Sequence, residues 1–307
     1  MGKALFFLLL LPISWLPLFF LYRLSYLIYF FLYRVIRYRK SVVVRNINES
    51  FPRLDQKAKK QIIKDYYQHF SDIIVEGIKN LSMSENSLKK RFNIRNPELV
   101  NAYFDDGKSI VLCAGHINNW EWWISYQNAA IKHHAIGIGM PLKQASLGSE
   151  INKRRARFGM VVTDSNNYKK EIENPNNDPF AILVLGDQSP GSVKKSYWTN
   201  FLNQPTAFTF GTEMISNTYK LPVIYYSVQK IKRGYYELEF KLICEDPISL
   251  PYGKITEKYV HFLEKDILNE PSQWIWSHKR WKKSIPNNLN SIKNEHKKHF
   301  NARFRNI

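Results

Sequence analysis

Residues 109–123 read "SIVLCAGHINNWEWW". Ser109 to Gly115 is a short apolar run closed by a glycine, which is the pattern of a buried strand. Two asparagines and a glutamate then lead into a tryptophan-rich segment. Asn118 or Asn119 can accept a hydrogen bond from the unpaired N–H groups of a first helical turn, so a capped helix is expected next. The strand–turn–helix pattern recurs downstream. Ala135–Met140, Met160–Asp164 and Leu221–Lys230 read as strands, and "FAILVLGDQ" (Phe180–Gln188) is the strongest of all. Between them, Ser149–Gly159 reads as a basic helix closing on a glycine, and Phe208–Lys220 and Thr256–Leu268 as further helices. Tyr235–Cys244 alternates in the manner of an edge strand. Alternating strands and helices predict an α/β fold with a mostly parallel central sheet flanked by helices.

The N-terminal region differs in composition. Ala4 to Tyr22, "ALFFLLLLPISWLPLFFLY", is nineteen residues without a charge. At about 1.5 Å per residue, such a helix matches the roughly 30 Å hydrocarbon layer. The expectation is a membrane-anchor helix kinked at Pro12 and Pro17, with Leu24–Tyr33, too short to span, as an interfacial helix. No small-residue cleavage site follows the run, and Phe6 stands where a myristoylation motif needs Ser or Thr. Lys3 precedes the run, whereas Arg23, Arg34, Arg37, Arg39, Lys40 and Arg45 follow it. The positive-inside rule therefore puts the remainder on the cytoplasmic face, with these cations near anionic lipid headgroups. Asp55–Leu81 has apolar residues at helical spacing, and Ser84–Glu98 reads as a polar connection with a short helix. Three regions result: an anchor and basic segment over 1–40, a catalytic domain over 41–285, and a polar, loosely ordered tail over 286–307.

Among the 307 residues, 45 Lys and Arg face 26 Asp and Glu, a formal charge of +19. Such an excess suits an anionic partner: nucleic acid, an acidic membrane surface or a phosphorylated substrate. Cys113 and Cys244 are the only cysteines. Two are too few for a disulfide framework or an all-cysteine zinc site, and both fit core positions.

Ligands of open α/β sheets gather at the carboxyl ends of strands. His116 follows one predicted strand and Asp187 follows another, so two separate segments deliver polar side chains to one rim. Glu121 lies five residues after His116. Within a single helix the two would point about 140° apart, but they can meet if His116 is in the loop and Glu121 in the first turn. Glu121 could then hold one imidazole nitrogen and leave the other as a base. On spacing alone, an ordinary loop histidine and a helix-start carboxylate is the better reading, and the strand-then-glycine context is what favours a site. The spacing is not a zinc-protease pattern, and no third ligand follows. "WIWSHKRWKK" (Trp274–Lys283) interleaves aromatics and cations, as nucleic-acid binders do and as a turn with tryptophans packed inward also does. His278 is expected to be structural.

The segment "GHINNWE" resembles the His-x4-acid block of the glycerolipid acyltransferase superfamily. Its glutamate variant resembles the lauroyl and myristoyl acyltransferases that add secondary acyl chains to lipid A. Arg39–Pro52 ("RKSVVVRNINESFP"), Met140–Met160, Gly186–Thr212 and Pro271–Lys282 resemble further blocks of the same family, in the same order. The resemblance implies acyl transfer from acyl carrier protein, or from coenzyme A, to a hydroxyl of a phosphorylated lipid A precursor at the bacterial inner membrane. It implies no cofactor or metal beyond that acyl donor. It implies His116 as general base, Glu121 as its orienting partner, Arg155 as a charge stabiliser and Asp187 as a positioning residue. Arg154, Arg157, Gln188, Asn119 and Lys143 would line the substrates, and the register among Arg154, Arg155 and Arg157 is open. The sequence departs from the family pattern at Lys194 and Lys195 and at Asn203, where a glycine is usual. A related enzyme acting on another membrane lipid, or a tethered basic binding protein, are the alternatives. Nucleic acid is not the expected partner.

Overall fold

The computed structural model describes residues 2–139, 145–174 and 178–305. The chain opens with two apolar helices, α1 (Gly2–Trp15) and α2 (Leu18–Val35). Helix α3 (Lys40–Ser50) and the long α4 (Gln56–Asn80) follow, α4 capped by Asp55 accepting from the Ala58 N–H at 2.7 Å. Then come α5 (Glu85–Lys89), β1 (Phe92–Ile94), α6 (Glu98–Asp105), β2 (Ile110–Ala114), α7 (Trp120–Ala130) and β3 (His134–Gly139). They are followed by α8 (Ala145–Arg155), β4 (Val161–Asp164), α9 (Tyr168–Ile172), β5 (Phe180–Leu185), β6 (Ser196–Phe201) and β7 (Gln204–Thr209). The chain ends through α10 (Gly211–Tyr219), β8 (Val223–Lys232), β9 (Tyr235–Cys244), α11 (Lys254–Asn269) and α12 (Leu289–Phe304).

Seven strands form one sheet in the order β1-β9-β8-β2-β5-β3-β4, parallel except for the β8–β9 hairpin. The expected α/β fold with a mostly parallel sheet is therefore the observed one. Strand β2 is buried at every residue, as an inner parallel strand flanked by helices on both faces must be. Strand β9 is paired on both sides, with the three-residue β1 outside it, so the alternation in Tyr235–Cys244 reflects one solvated face and not an edge.

Three expectations are corrected. Residues 204–209, the approach to the predicted helix at Phe208, form β7, which pairs with β6 in a separate antiparallel ribbon. The ribbon turns at Leu202 and Asn203, with φ of 49° and 64°. An asparagine tolerates this left-handed conformation, so the missing glycine costs little here. The C-terminal region is not a loose tail: α12 buries Ile292 and Phe300, and Phe300 packs on Phe210 and Tyr252. Arg305 ties its end down by donating to the carbonyls of Pro247 and Leu250.

The apolar N-terminus divides differently from the expected single run. Pro17, with ψ of 146°, ends one helix and begins the next, because proline cannot donate to the preceding turn. Residues 6–10 ahead of Pro12 form a π-turn, which accommodates its ring. The stretch long and apolar enough to cross a membrane is Leu18–Val35, not Ala4–Tyr22. It lies antiparallel along α4. The Tyr22 hydroxyl donates to Glu76 at 2.7 Å, the Ser25 hydroxyl donates to Asp72 at 2.8 Å, and Tyr33 packs on Tyr67. On the outer side, Phe7, Leu8, Trp15, Phe19, Phe20 and Phe30 are exposed.

The packing of α12 is testable. Phe300→Ala removes a buried aromatic ring and should lower unfolding stability by about 3 kcal/mol, read by denaturant titration. A loose tail would leave the midpoint unchanged.

Candidate active site

Strands β2 and β5 are adjacent and parallel, with Ala114 opposite Leu185. Two residues beyond each strand end stand His116 and Asp187. Equal offsets from paired residues bring their side chains together. The Asp187 carboxylate accepts from the His116 backbone N–H at 2.8 Å and lies 2.6 Å from its Nδ1. A carboxylate can only accept, so Nδ1 carries the proton and Nε2 is left with a lone pair. The His116 side chain is 15% exposed and that of Asp187 fully buried. The Trp274 indole N–H donates to the same carboxylate at 2.8 Å. Burial would raise the Asp187 carboxyl, but His116 and these hydrogen bonds outweigh it and hold the group at about 2. Burial would likewise lower the His116 imidazole, but Asp187 overrides this and the imidazole is raised above its ordinary value.

Gly115 permits this approach. A Cβ there would stand 2.4 Å from Leu263 Cδ1 and 3.1 Å from Asp187 Oδ2. Beyond His116 the loop is pinned on both sides. Ile117 bridges to Trp274, and the Asn118 N–H donates to the Gln273 carbonyl at 3.1 Å. Asn118 takes φ of 53°, and its side chain donates to the Val228 carbonyl. Asn119, not Asn118, is the cap of α7, accepting from the Trp122 N–H at 3.0 Å.

Glu121 does not orient His116. It lies in the first turn of α7, as expected, but forms a two-bond ion pair with Arg155, at 3.0 Å to Nε and 2.5 Å to Nη2. Asp187 already occupies Nδ1, and a bidentate guanidinium is the stronger partner for a half-buried carboxylate. Glu121 reaches His116 only through its field, which also raises the imidazole. Arg155 is thereby the arginine of its helix that faces the site. Arg157 is committed to structure, donating to Asn80, to Ser125 and to the Met83 and Arg154 carbonyls. Arg154 is half-buried and has no side-chain hydrogen bond among the described residues. The Gln188 amide lies 3.2 Å from His116 Nε2 and caps that face of the ring. Lys143 lies outside the described residues.

The tryptophans divide. Trp122 and Trp123 are wholly buried in the core, whereas Trp120 is half-buried and sits edge-on to His116 with ring centroids 5.1 Å apart. Trp274 and His278 are site residues that spacing did not reveal. His278 Nε2 accepts from the Ser189 N–H at 3.0 Å and so fixes the segment after Asp187. The signals in the sequence were the resemblance of Pro271–Lys282 to a family block and the aromatic density of Trp274–Lys283, whose tryptophans 274 and 276 pack inward.

The sequence model of a family described as bacterial lipid A biosynthesis acyltransferase matches residues 2–283. No individual curated protein matches the chain.

Gly115→Ala should separate strand packing from site geometry. The added methyl must displace Leu263 and crowd Asp187, costing about 1–3 kcal/mol in denaturant titration.

Proposed function

The chain belongs to the bacterial lipid A biosynthesis acyltransferase family, and from that premise we propose that His116 is the base that activates an acceptor hydroxyl, with Asp187 in place of Glu121 as its orienting partner. The observation that carries this reading is the His116–Asp187 contact, which leaves the Nε2 lone pair on the far side of the ring, facing the Gln188 amide. A hydroxyl is a weak nucleophile at neutral pH, and a positioned base contributes typically 10²–10⁴-fold. In the proposed step, Nε2 takes the hydroxyl proton as the oxygen attacks the carbonyl carbon of an acyl thioester. The carbon–oxygen bond forms, the carbon–sulfur bond breaks, and His116 returns the proton to the departing thiolate. The imidazolium formed in between is stabilised by Asp187, and the Gln188 amide is placed to donate to the reacting oxygens.

The donor is proposed to be acyl-carrier protein or coenzyme A thioester, and the acceptor a hydroxyl of a phosphorylated lipid A precursor. The charge of +19 supports both, since each is anionic. The Glu121–Arg155 pair joins α7 to α8 beside the base. Its role in this reading is to hold the wall of the site and not to relay a proton.

The N-terminal helices are proposed to lie in the plane of the cytoplasmic leaflet of the inner membrane. Helix α2 presents hydrogen-bonding groups to α4 on one side and exposed Phe19, Phe20, Leu27 and Phe30 on the other. A perpendicular span would carry α4, with its exposed Lys60, Lys64 and Asp65, into hydrocarbon. Lying flat avoids that cost and keeps Arg23 and Arg34 near headgroups.

His116→Ala should abolish acyl transfer from carrier-protein or coenzyme A thioesters to a lipid A precursor in a folded protein; retained turnover overturns the mechanism. A neutral imidazole is needed, so kcat/KM should fall as pH drops through a pKa above the ordinary 6.5. Asp187→Asn removes the charge that raises it. The acid limb should move to lower pH, while the rate falls about 10²–10⁴-fold. Replacing Phe19, Phe20 and Phe30 together by Glu should release the protein from anionic vesicles in a sedimentation assay without unfolding it.

A further inference from the structure

Two carboxylates one turn apart on α4 face the N-terminal helix, and they are treated differently. Asp72 has a cation: Arg233 donates to it from the β8–β9 turn, with Nε at 2.9 Å. Glu76 has none. It is fully buried and accepts three hydrogen bonds from neutral groups on three elements. Tyr22 of α2 donates at 2.7 Å, Tyr236 of β9 at 2.6 Å, and the Asn119 amide at 2.6 Å. Its backbone carbonyl accepts from the Trp122 indole at 3.0 Å. Burial pushes its carboxyl up to about 7 against the pull of those three donors.

A buried carboxylate without a cation is costly, and an apolar side chain of similar volume would usually serve stability better. Its place in the fold suggests what it does instead. Asn119 is the cap of α7 and lies three residues beyond His116. The loop carrying the proposed base is thus held at its start by Asp187 and at its end by Glu76. The third donor, Tyr22, stands on the helix whose outer face is exposed and apolar.

We propose that Glu76 is a positioning residue of the acyl-transfer site, a tie between the outward-facing helix α2 and the loop that carries His116. The inference rests on the reading of His116 as the base. Loss of the tie frees Asn119, lets the loop drift, and weakens the His116–Asp187 contact. Gln at this position can keep its carbonyl toward Asn119 and Tyr236 and donate its amide to the Tyr22 oxygen, so the tie survives, whereas Leu loses all three bonds and Tyr22→Phe loses the link to α2.

The test uses the full chain on anionic vesicles, with acyl-transfer kinetics and an NMR titration of the labelled His116 imidazole. In Glu76→Leu, kcat should fall about 10²-fold, as a misplaced catalytic group does, with both KM values within about twofold. The His116 pKa should fall toward that of an exposed histidine. The charged groups around His116 are Asp187, Glu121 and Arg155, with His278 beyond Asp187, and the substitution touches none of them. Glu76→Gln should stay within about threefold of wild type and leave the His116 titration in place. If the Leu variant does not fold, Tyr22→Phe carries the test, with kcat about threefold to tenfold lower at unchanged KM. A folded Leu or Phe variant with wild-type kcat and an unmoved His116 pKa overturns the tie. A wild-type protein that transfers no acyl chain, with the His116 pKa nevertheless lowered in Glu76→Leu, overturns the acyl-transfer reading and leaves the tie standing.

Discussion

The contact between His116 and Asp187 depends on one feature of the backbone: two parallel strands in register, ending at the same height. Because Ala114 faces Leu185, the next residues of each chain leave the sheet side by side. Gly115 then leaves room for the Asp187 carboxylate to reach both the backbone and the ring of His116. Everything else at the site refines this pairing. Trp274 supplies the third donor to Asp187, Asn119 ends the loop, and Glu76 holds Asn119.

The cost of the arrangement is electrostatic. Asp187 and Glu76 are both wholly buried, but their surroundings push them in opposite directions. Asp187 faces an imidazole that can become a cation, so it is held ionised. Glu76 faces only neutral donors, and burial raises it toward neutrality. Two carboxylates near one loop are thereby pushed toward opposite charge states by their surroundings.

Sequence reasoning reached the fold class, the capped helix after His116, and His116 and Asp187 on a common rim. Strand ends, glycines and asparagine caps are local signals, and they survive into the structure unchanged. It failed where pairing depends on distant chain. Glu121 stands where expected, yet its partner Arg155 arrives from another helix and leaves His116 to Asp187. The ribbon of β6 and β7 was hidden because its second strand runs straight into a helix. The C-terminal helix was hidden because its polar residues outnumber the two, Ile292 and Phe300, that dock it.

The sequence alone determined that a long apolar N-terminus precedes an α/β domain and that a histidine and a carboxylate leave strand ends on one rim of the sheet. These follow from periodicity and from residue preferences that act over a few positions. The tertiary structure decided which carboxylate holds the histidine, which arginine faces the site, and that the apolar helix lies along α4 with the Tyr22 and Ser25 hydroxyls turned inward. Those choices are made by competition among groups far apart in the chain. The winner is set by which charges and donors the packing brings within hydrogen-bonding distance once water has been excluded.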